Sequence, residues 1–188
     1  MIDFTSPVRP VRLSFLGGRG HYETVVRAVL EARVSVWIAT ANLKGLLVED
    51  PGLRGRRRWR PVLELFDGLA SRGVELRILY SGHPSRAFRE AFDAHPRLVG
   101  GGLLQRQCPR LHFKAVIIDG RSLYLGSANW TGAGIGAKGA SRRNFELGFF
   151  TEDELLLDEV QGLYQHLWTG GACGECGLRD SCAAPLDL

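Results

Sequence analysis

Residues 111–129, Leu-His-Phe-Lys-Ala-Val-Ile-Ile-Asp-Gly-Arg-Ser-Leu-Tyr-Leu-Gly-Ser-Ala-Asn, constrain the fold of this chain more than any other stretch. Two apolar runs, Leu111 to Ile118 and Ser122 to Leu125, flank Asp119-Gly120, a pair favoured in two-residue hairpin turns because both positions tolerate positive φ. Strand alternation places His112, Lys114, Val116 and Ile118 on one face and Phe113, Ala115 and Ile117 on the other. A chain containing this hairpin must build a sheet around it, with an imidazole and an ammonium side by side on its surface. The return strand ends in Gly126-Ser127-Ala128-Asn129, where Ser127 and Asn129 again share a side and Gly126 permits close backbone approach.

The flanking sequence supplies the rest of an α/β fold. Val25, Val26, Val29 and Leu30 recur at helical spacing and predict a helix over His21 to Ala32; the short β-branched run Val34 to Thr40 predicts a buried strand. Pro61 suits the first turn of a helix reaching Ser71, with Val62, Leu65, Phe66 and Leu69 on one face, and Gly73 ends it before a strand over Val74 to Tyr80. A helix over Pro84 to Ala94 follows. Strands are then expected over Leu103 to Gln107 and Phe145 to Phe150 beside the hairpin. A final helix, Glu152 to Trp168, carries Leu155, Leu156, Val160, Leu163 and Leu167 on its apolar side. The expected architecture is a mixed β-sheet flanked by helices over 1–168, with a short cysteine-rich tail over 169–188.

The hairpin also carries chemistry. A histidine can attack phosphorus or move a proton, and a lysine and an amide can hold the non-bridging oxygens on which charge develops. The run from His112 to Asn129 reads H-x-K-x4-D-x6-G-S-x-N without substitution, and it resembles the signature motif of the phospholipase D superfamily. The order of helices and strands, with Asn42 near the end of the Val34 to Thr40 strand, resembles one half-domain of that superfamily over residues 10 to 168. Asn144-Phe145-Glu146 is similar to the Asn-x-Glu element of bacterial members.

That resemblance implies a phosphodiesterase whose His112 forms a phosphohistidine. It gives Lys114, Ser127 and Asn129 the phosphate oxygens, and has Glu146 accept a hydrogen bond from the ring of His112. It requires no metal for catalysis. Asp119 and Gly126 are read as structural parts of the motif, Asp119 because its turn directs it away from the His112 face. Most members carry two motif copies that pair into one site. Here His21, His83, His95 and His166 lack a lysine two residues on, so there is one copy, and the resemblance implies a homodimer with the site on its two-fold axis.

Four cysteines remain, Cys108, Cys173, Cys176 and Cys182, the last three spaced C-x2-C-x5-C. In a reducing compartment such a set suggests a soft-metal site ahead of disulfides. The spacing resembles the iron–sulfur staple of RecB-type and CRISPR-associated exonucleases, which implies a [4Fe–4S] cluster; structural zinc, or disulfides and free thiols, are the alternatives.

A net charge of +4 favours polyanionic partners. The basic run Arg54, Arg56, Arg57, Arg58 and Arg60, with Trp59 inside it, reads either as a solvated loop or as phosphate contacts with a stacking aromatic. Apolar stretches fall far short of the roughly 20 residues that span a bilayer. The start Met1-Ile2-Asp3-Phe4 lacks signal-peptide features, so the cytoplasm is the expected location. The preferred substrate is nucleic acid, DNA ahead of RNA, cleaved as by an endonuclease. A phospholipid of the cardiolipin type is the alternative, and a non-catalytic nucleic-acid-binding subunit a third reading.

Overall fold

A computed structural model describes residues 4–50 and 59–186. The run holding Arg54, Arg56, Arg57 and Arg58 lies outside them. Nine strands form among the described residues: β1 (Ser14–Gly17), β2 (Ser35–Thr40), β3 (Leu47–Glu49), β4 (Trp59–Pro61), β5 (Glu75–Tyr80), β6 (Leu104–Gln107), β7 (Lys114–Ile118), β8 (Ser122–Gly126) and β9 (Leu147–Thr151). Seven make one mixed sheet in the order β1-β9-β8-β7-β2-β5-β6; β3 and β4 pair separately. The β7–β8 hairpin is antiparallel to its neighbours, whereas β2, β5 and β6 run parallel, with the helices Val62–Ser71 and Arg86–Asp93 in the crossovers that parallel neighbours require.

Alternation sorts the two faces. Val36, Ile38, Leu76, Ile78, Val116, Ile118 and Tyr124 pack against α1 (Arg27–Leu30), α2 (Val62–Ser71) and α3 (Arg86–Asp93). A helical segment over Tyr22–Val26 runs directly into α1. Ala39, Leu79, Ala115, Ile117 and Leu123 pack on the opposite side against α4 (Glu154–Trp168). The expected faces of β7 are thus those observed. On α4 the buried stripe is Leu157, Val160, Tyr164 and Trp168, and Leu155 is exposed, contrary to the leucine stripe expected. Aromatic stacking decides this: Trp37 of β2 lies on Tyr164 at 5.4 Å, and Tyr164 on Trp168 at 5.9 Å, which turns that side of the helix inward.

Side-chain caps set two helix starts, Ser85 accepting from Phe88 N at 3.3 Å and Asp153 from Leu156 N at 3.0 Å. Pro61 ends β4 and precedes α2 instead of opening its first turn. The edge strand β1 and the β3–β4 pair were not expected.

The β7–β8 turn differs from a two-residue hairpin. Arg121 N donates to Ile118 O at 2.9 Å, but the ladder resumes at Ile118↔Ser122, leaving Arg121 as an additional loop residue. Asp119 (φ 55) and Gly120 (φ 62) both adopt positive φ, as anticipated for this pair. The Asp119 carboxylate accepts from the backbone N–H groups of Arg33, Val34 and Ser35 at 2.7–3.1 Å, fastening the turn to the start of β2. Burial opposes ionisation of this carboxyl, yet the Ser35, Val34 and Arg33 donors, with Arg121 nearby, outweigh it and hold its pKa below the ordinary value.

Asp119 therefore stabilises the fold in its charged form. Its folded pKa lies below its unfolded value, so the contribution is complete above the unfolded pKa of about 4 and is lost as pH falls through the folded pKa. Asp119→Asn keeps the size and the tolerance of positive φ but removes the charge from three donors. We expect a loss of about 1.5–3 kcal/mol at pH 7, shrinking towards zero in the acid range. Urea melts of both proteins at neutral and acid pH measure this, and a deficit independent of pH would contradict the role assigned to the charge.

Candidate active site

The motif residues meet at one end of the sheet. Parallel and antiparallel neighbours bring together the end of β2, the start of β7, the end of β8 and the start of β9, through the pairs Ala39↔Ala115, Lys114↔Gly126 and Gly126↔Gly148. β7 begins at Lys114, three residues later than the expected start at Leu111, so His112 precedes the strand. The reason lies in Cys108-Pro109-Arg110-Leu111, which forms a turn with Leu111 N donating to Cys108 O at 2.9 Å. Leu111 and Phe113 still pack into the α4-side core, and His112 between them is exposed.

Lys114 is almost buried, at 8% exposure, and its Nζ donates to the carbonyl of His112 at 2.6 Å. An ammonium has three donors, so this bond anchors the charge beside His112 and leaves donors for a bound anion. At the end of β8 the chain passes Gly126, where an added Cβ would lie 2.6 Å from Gly148 Cα and 2.6 Å from Leu147 O. No larger residue fits there without moving β9. Tyr124 closes the same spot from below: its hydroxyl accepts from Ala128 N at 3.3 Å, and burial pushes its pKa up to about 12.

The Asn129 amide is oriented by β2. Its Oδ1 accepts from Asn42 N at 2.9 Å, leaving the Nδ2 donors for a ligand. Thr40, fully buried at the last position of β2, accepts from Trp130 N at 2.9 Å and donates to Asn42 O at 2.8 Å. Thr40 is a positioning residue that the sequence analysis missed. Its one available signal is a hydroxyl closing the apolar run 36–39, two positions before Asn42.

Glu146 departs from expectation. Ser127 Oγ donates to one carboxylate oxygen, and Asn144 Nδ2 donates to the other at 3.1 Å; within the chain neither oxygen is bonded to the ring of His112. The register explains the difference. Gly126 pairs with Gly148, so Glu146 stands across from the Ser127 segment, with β8 intervening between it and β7. Ser127 is further tied to β9, its Oγ accepting from Leu147 N at 3.1 Å.

Residues 25–168 match the family model described as "Cardiolipin synthase, PLD-like domain". The chain belongs to the phospholipase D-like family. Comparison with curated proteins gave no match. Among solved structures the fold resembles NucT from Helicobacter pylori, at 20% identity and a TM-score of 0.60, covering 85% of this chain and 96% of that one. It also resembles Nuc from Salmonella typhimurium, a phospholipase D family member, at 18% identity and a TM-score of 0.58, covering 84% and 95%. Phosphatidylserine synthase of Haemophilus influenzae matches at 10% identity and a TM-score of 0.55, covering 80% of this chain but 35% of its own.

The phospholipase D-like match encloses the whole sheet-end cluster and stops at the end of α4, ahead of the cysteine-rich tail. Of the basic run, Trp59 and Arg60 are described. Arg60 bonds Asp50 at 2.9 Å and Glu64 at 2.8 Å, so its charge is satisfied within the fold and it is not a free phosphate contact. Trp59 is half-buried in β4 opposite Glu49. Other cations border the motif. Lys44, two residues past Asn42, donates its backbone N–H to Trp130 O at 3.4 Å, and Lys138 packs over Gly132. Arg142 sits in a short helix, Ala140–Arg142, between the motif and β9.

The four cysteines are half-buried and free of disulfides. Among the described residues no group of three or more His, Cys, Asp or Glu is placed to hold a metal ion. No described helix is long and apolar enough to cross a membrane.

Proposed function

We propose that this chain is a metal-independent phosphodiesterase that cleaves nucleic acid, in a site completed by a second copy of the chain. The observation carrying the reading is the convergence of Lys114, Ser127 and Asn129 on the sheet end beside His112. The exposed cations Lys44, Lys138 and Arg142 border it, and among the described residues they have no acidic partner. Cations without internal partners suit a polyanionic backbone.

In the proposed reaction an imidazole nitrogen of one His112 attacks phosphorus. The P–N bond forms as the bond to the leaving oxygen breaks, and the imidazolium of the partner subunit's His112 protonates that oxygen. Water then attacks phosphorus, giving its proton to the partner's His112, and the P–N bond breaks. Lys114 and the Nδ2 group of Asn129 hold the equatorial oxygens throughout. Thr40 and Asn42 keep the Asn129 amide in its donor orientation.

Two features support the two-copy site. One motif supplies one histidine, whereas the reaction uses two. Phe145, fully exposed, and Leu147, largely exposed, flank Glu146 at the same sheet end, a place where apolar surface calls for a cover.

One assay tests the reading. Purified full chain is offered labelled single-stranded DNA, double-stranded DNA, RNA and cardiolipin vesicles, with EDTA present to sequester magnesium, while light scattering gives its mass. We expect nucleic-acid cleavage and a particle twice the 20.7 kDa chain mass. Strict dependence on added magnesium would sink the histidine mechanism, and full activity in a monomer would sink the shared site. Cleavage of cardiolipin alone would move the substrate to phospholipids. Tight nucleic-acid binding without cleavage would leave a non-catalytic subunit.

A further inference from the structure

After α4 the chain reverses. Gly170 N donates to Leu167 O at 3.2 Å and Gly171 N to His166 O at 2.9 Å, the paired bonds of a Schellman-type helix end, with Gly170 at φ 87. The reversal lays the tail against the turn that precedes His112. There a cavity of about 910 Å³ is lined by Cys108, Cys173, Cys176 and Cys182, together with Arg110 and His112. Every cysteine of the chain reaches this one cavity, although Cys108 belongs to the sheet and the other three to the tail.

Two basic side chains stand beside the tail cysteines. The Arg110 guanidinium lies 3.9 Å from Cys176 Sγ, linking the pre-histidine turn to the tail directly. Four thiolates around a metal leave net negative charge, and Arg110 stands against it. Arg179 is held there too, donating to Cys173 O at 3.3 Å and Leu186 O at 3.1 Å.

We infer that Cys108, Cys173, Cys176 and Cys182 together ligate one [4Fe–4S] cluster, which fastens the tail to the wall of the His112 site. A cluster suits the arrangement better than a single ion. Zinc holds four sulfurs at about 2.3 Å from itself and so draws them into mutual contact, whereas no three candidate ligands among the described residues are placed to hold one ion. A cluster separates its thiolates by the width of its inorganic core and so asks for less convergence of the four sulfurs than one ion does. The inference does not depend on the phosphodiesterase reading, because metal content is measured without any substrate.

The test uses the full chain purified without oxygen and reconstituted with ferrous iron and sulfide. Iron, acid-labile sulfide and zinc are then quantified per chain. About four iron and four sulfide are expected, in a brown protein. Cys108→Ser should drop iron below about one per chain, although three tail cysteines remain. Far-UV circular dichroism recorded alongside checks the fold of that variant, and wild-type thiols are alkylated before and after acid release of the metal. All four should be protected before and reactive after. One zinc and no iron would overturn the cluster. Iron content unchanged in Cys108→Ser would overturn the four-cysteine assignment. No metal, with four thiols readily alkylated in the folded chain, would overturn the site.

Discussion

His112→Asn is expected to lower turnover at least about a thousandfold, as loss of a reacting group does elsewhere, with little change in melting temperature or in nucleic-acid affinity. The structural grounds for so clean an effect are local. His112 is exposed, stands before β7 instead of within it, and is held in place by its neighbours Leu111 and Phe113, which are packed in the α4-side core. Asparagine keeps a polar side chain of comparable bulk and leaves the His112 carbonyl that Lys114 uses. Rates with a labelled substrate, binding isotherms and thermal melts separate the three quantities. The shared site adds a sharper test. If each reaction needs two intact histidines, subunit exchange between equal amounts of variant and wild type should leave about a quarter of the activity, the statistical share of dimers with two intact copies. Half the activity would mean that each chain works alone, and turnover of the variant within tenfold of wild type would mean that another group attacks phosphorus.

Lys114→Met should lower turnover by about 10²–10³, the effect of removing one preorganised donor from developing charge, equivalent to roughly 3–4 kcal/mol. Methionine is the informative substitution. It keeps an unbranched stem in the nearly buried space at the start of β7 and removes the ammonium. The His112 carbonyl loses its donor, worth about 1 kcal/mol of stability, so melts should show a small loss beside the large kinetic one. Lys114→Ala should match it in turnover and be the less stable of the two, because the stem packing goes as well. A methionine variant within tenfold of wild type would show that the charge acts on folding and not on the phosphate.

Much of the site was legible because its rules are short-range. The alternation of His112 to Ile118, the Asp119-Gly120 turn and the close approach at Gly126 depend on residues within a few positions of one another, and the structure holds Lys114, Ser127 and Asn129 at one sheet end. What was missed depends on distant partners. Thr40 orders the Asn129 segment from 90 positions away through Trp130 N. Arg60 looked like a phosphate ligand until Asp50 and Glu64 were seen to neutralise it. Glu146 was expected at His112, but the β8–β9 register sets it on Ser127.

By itself, the sequence determined that the chain makes a mixed sheet flanked by helices, that a hairpin lies within it, and that histidine, lysine, serine and asparagine accompany that hairpin. Side-chain period and turn chemistry are properties of consecutive residues, so these features need no knowledge of what lies opposite. Only the tertiary structure decided which ends meet. Strand order placed β2 beside β7 and so delivered Thr40 and Asn42 to the motif. The reversal after α4 carried the tail back to Cys108, gathering four cysteines and His112 on one cavity. Those contacts follow from burying both faces of the sheet at once, a condition on the whole chain that no local pattern encodes.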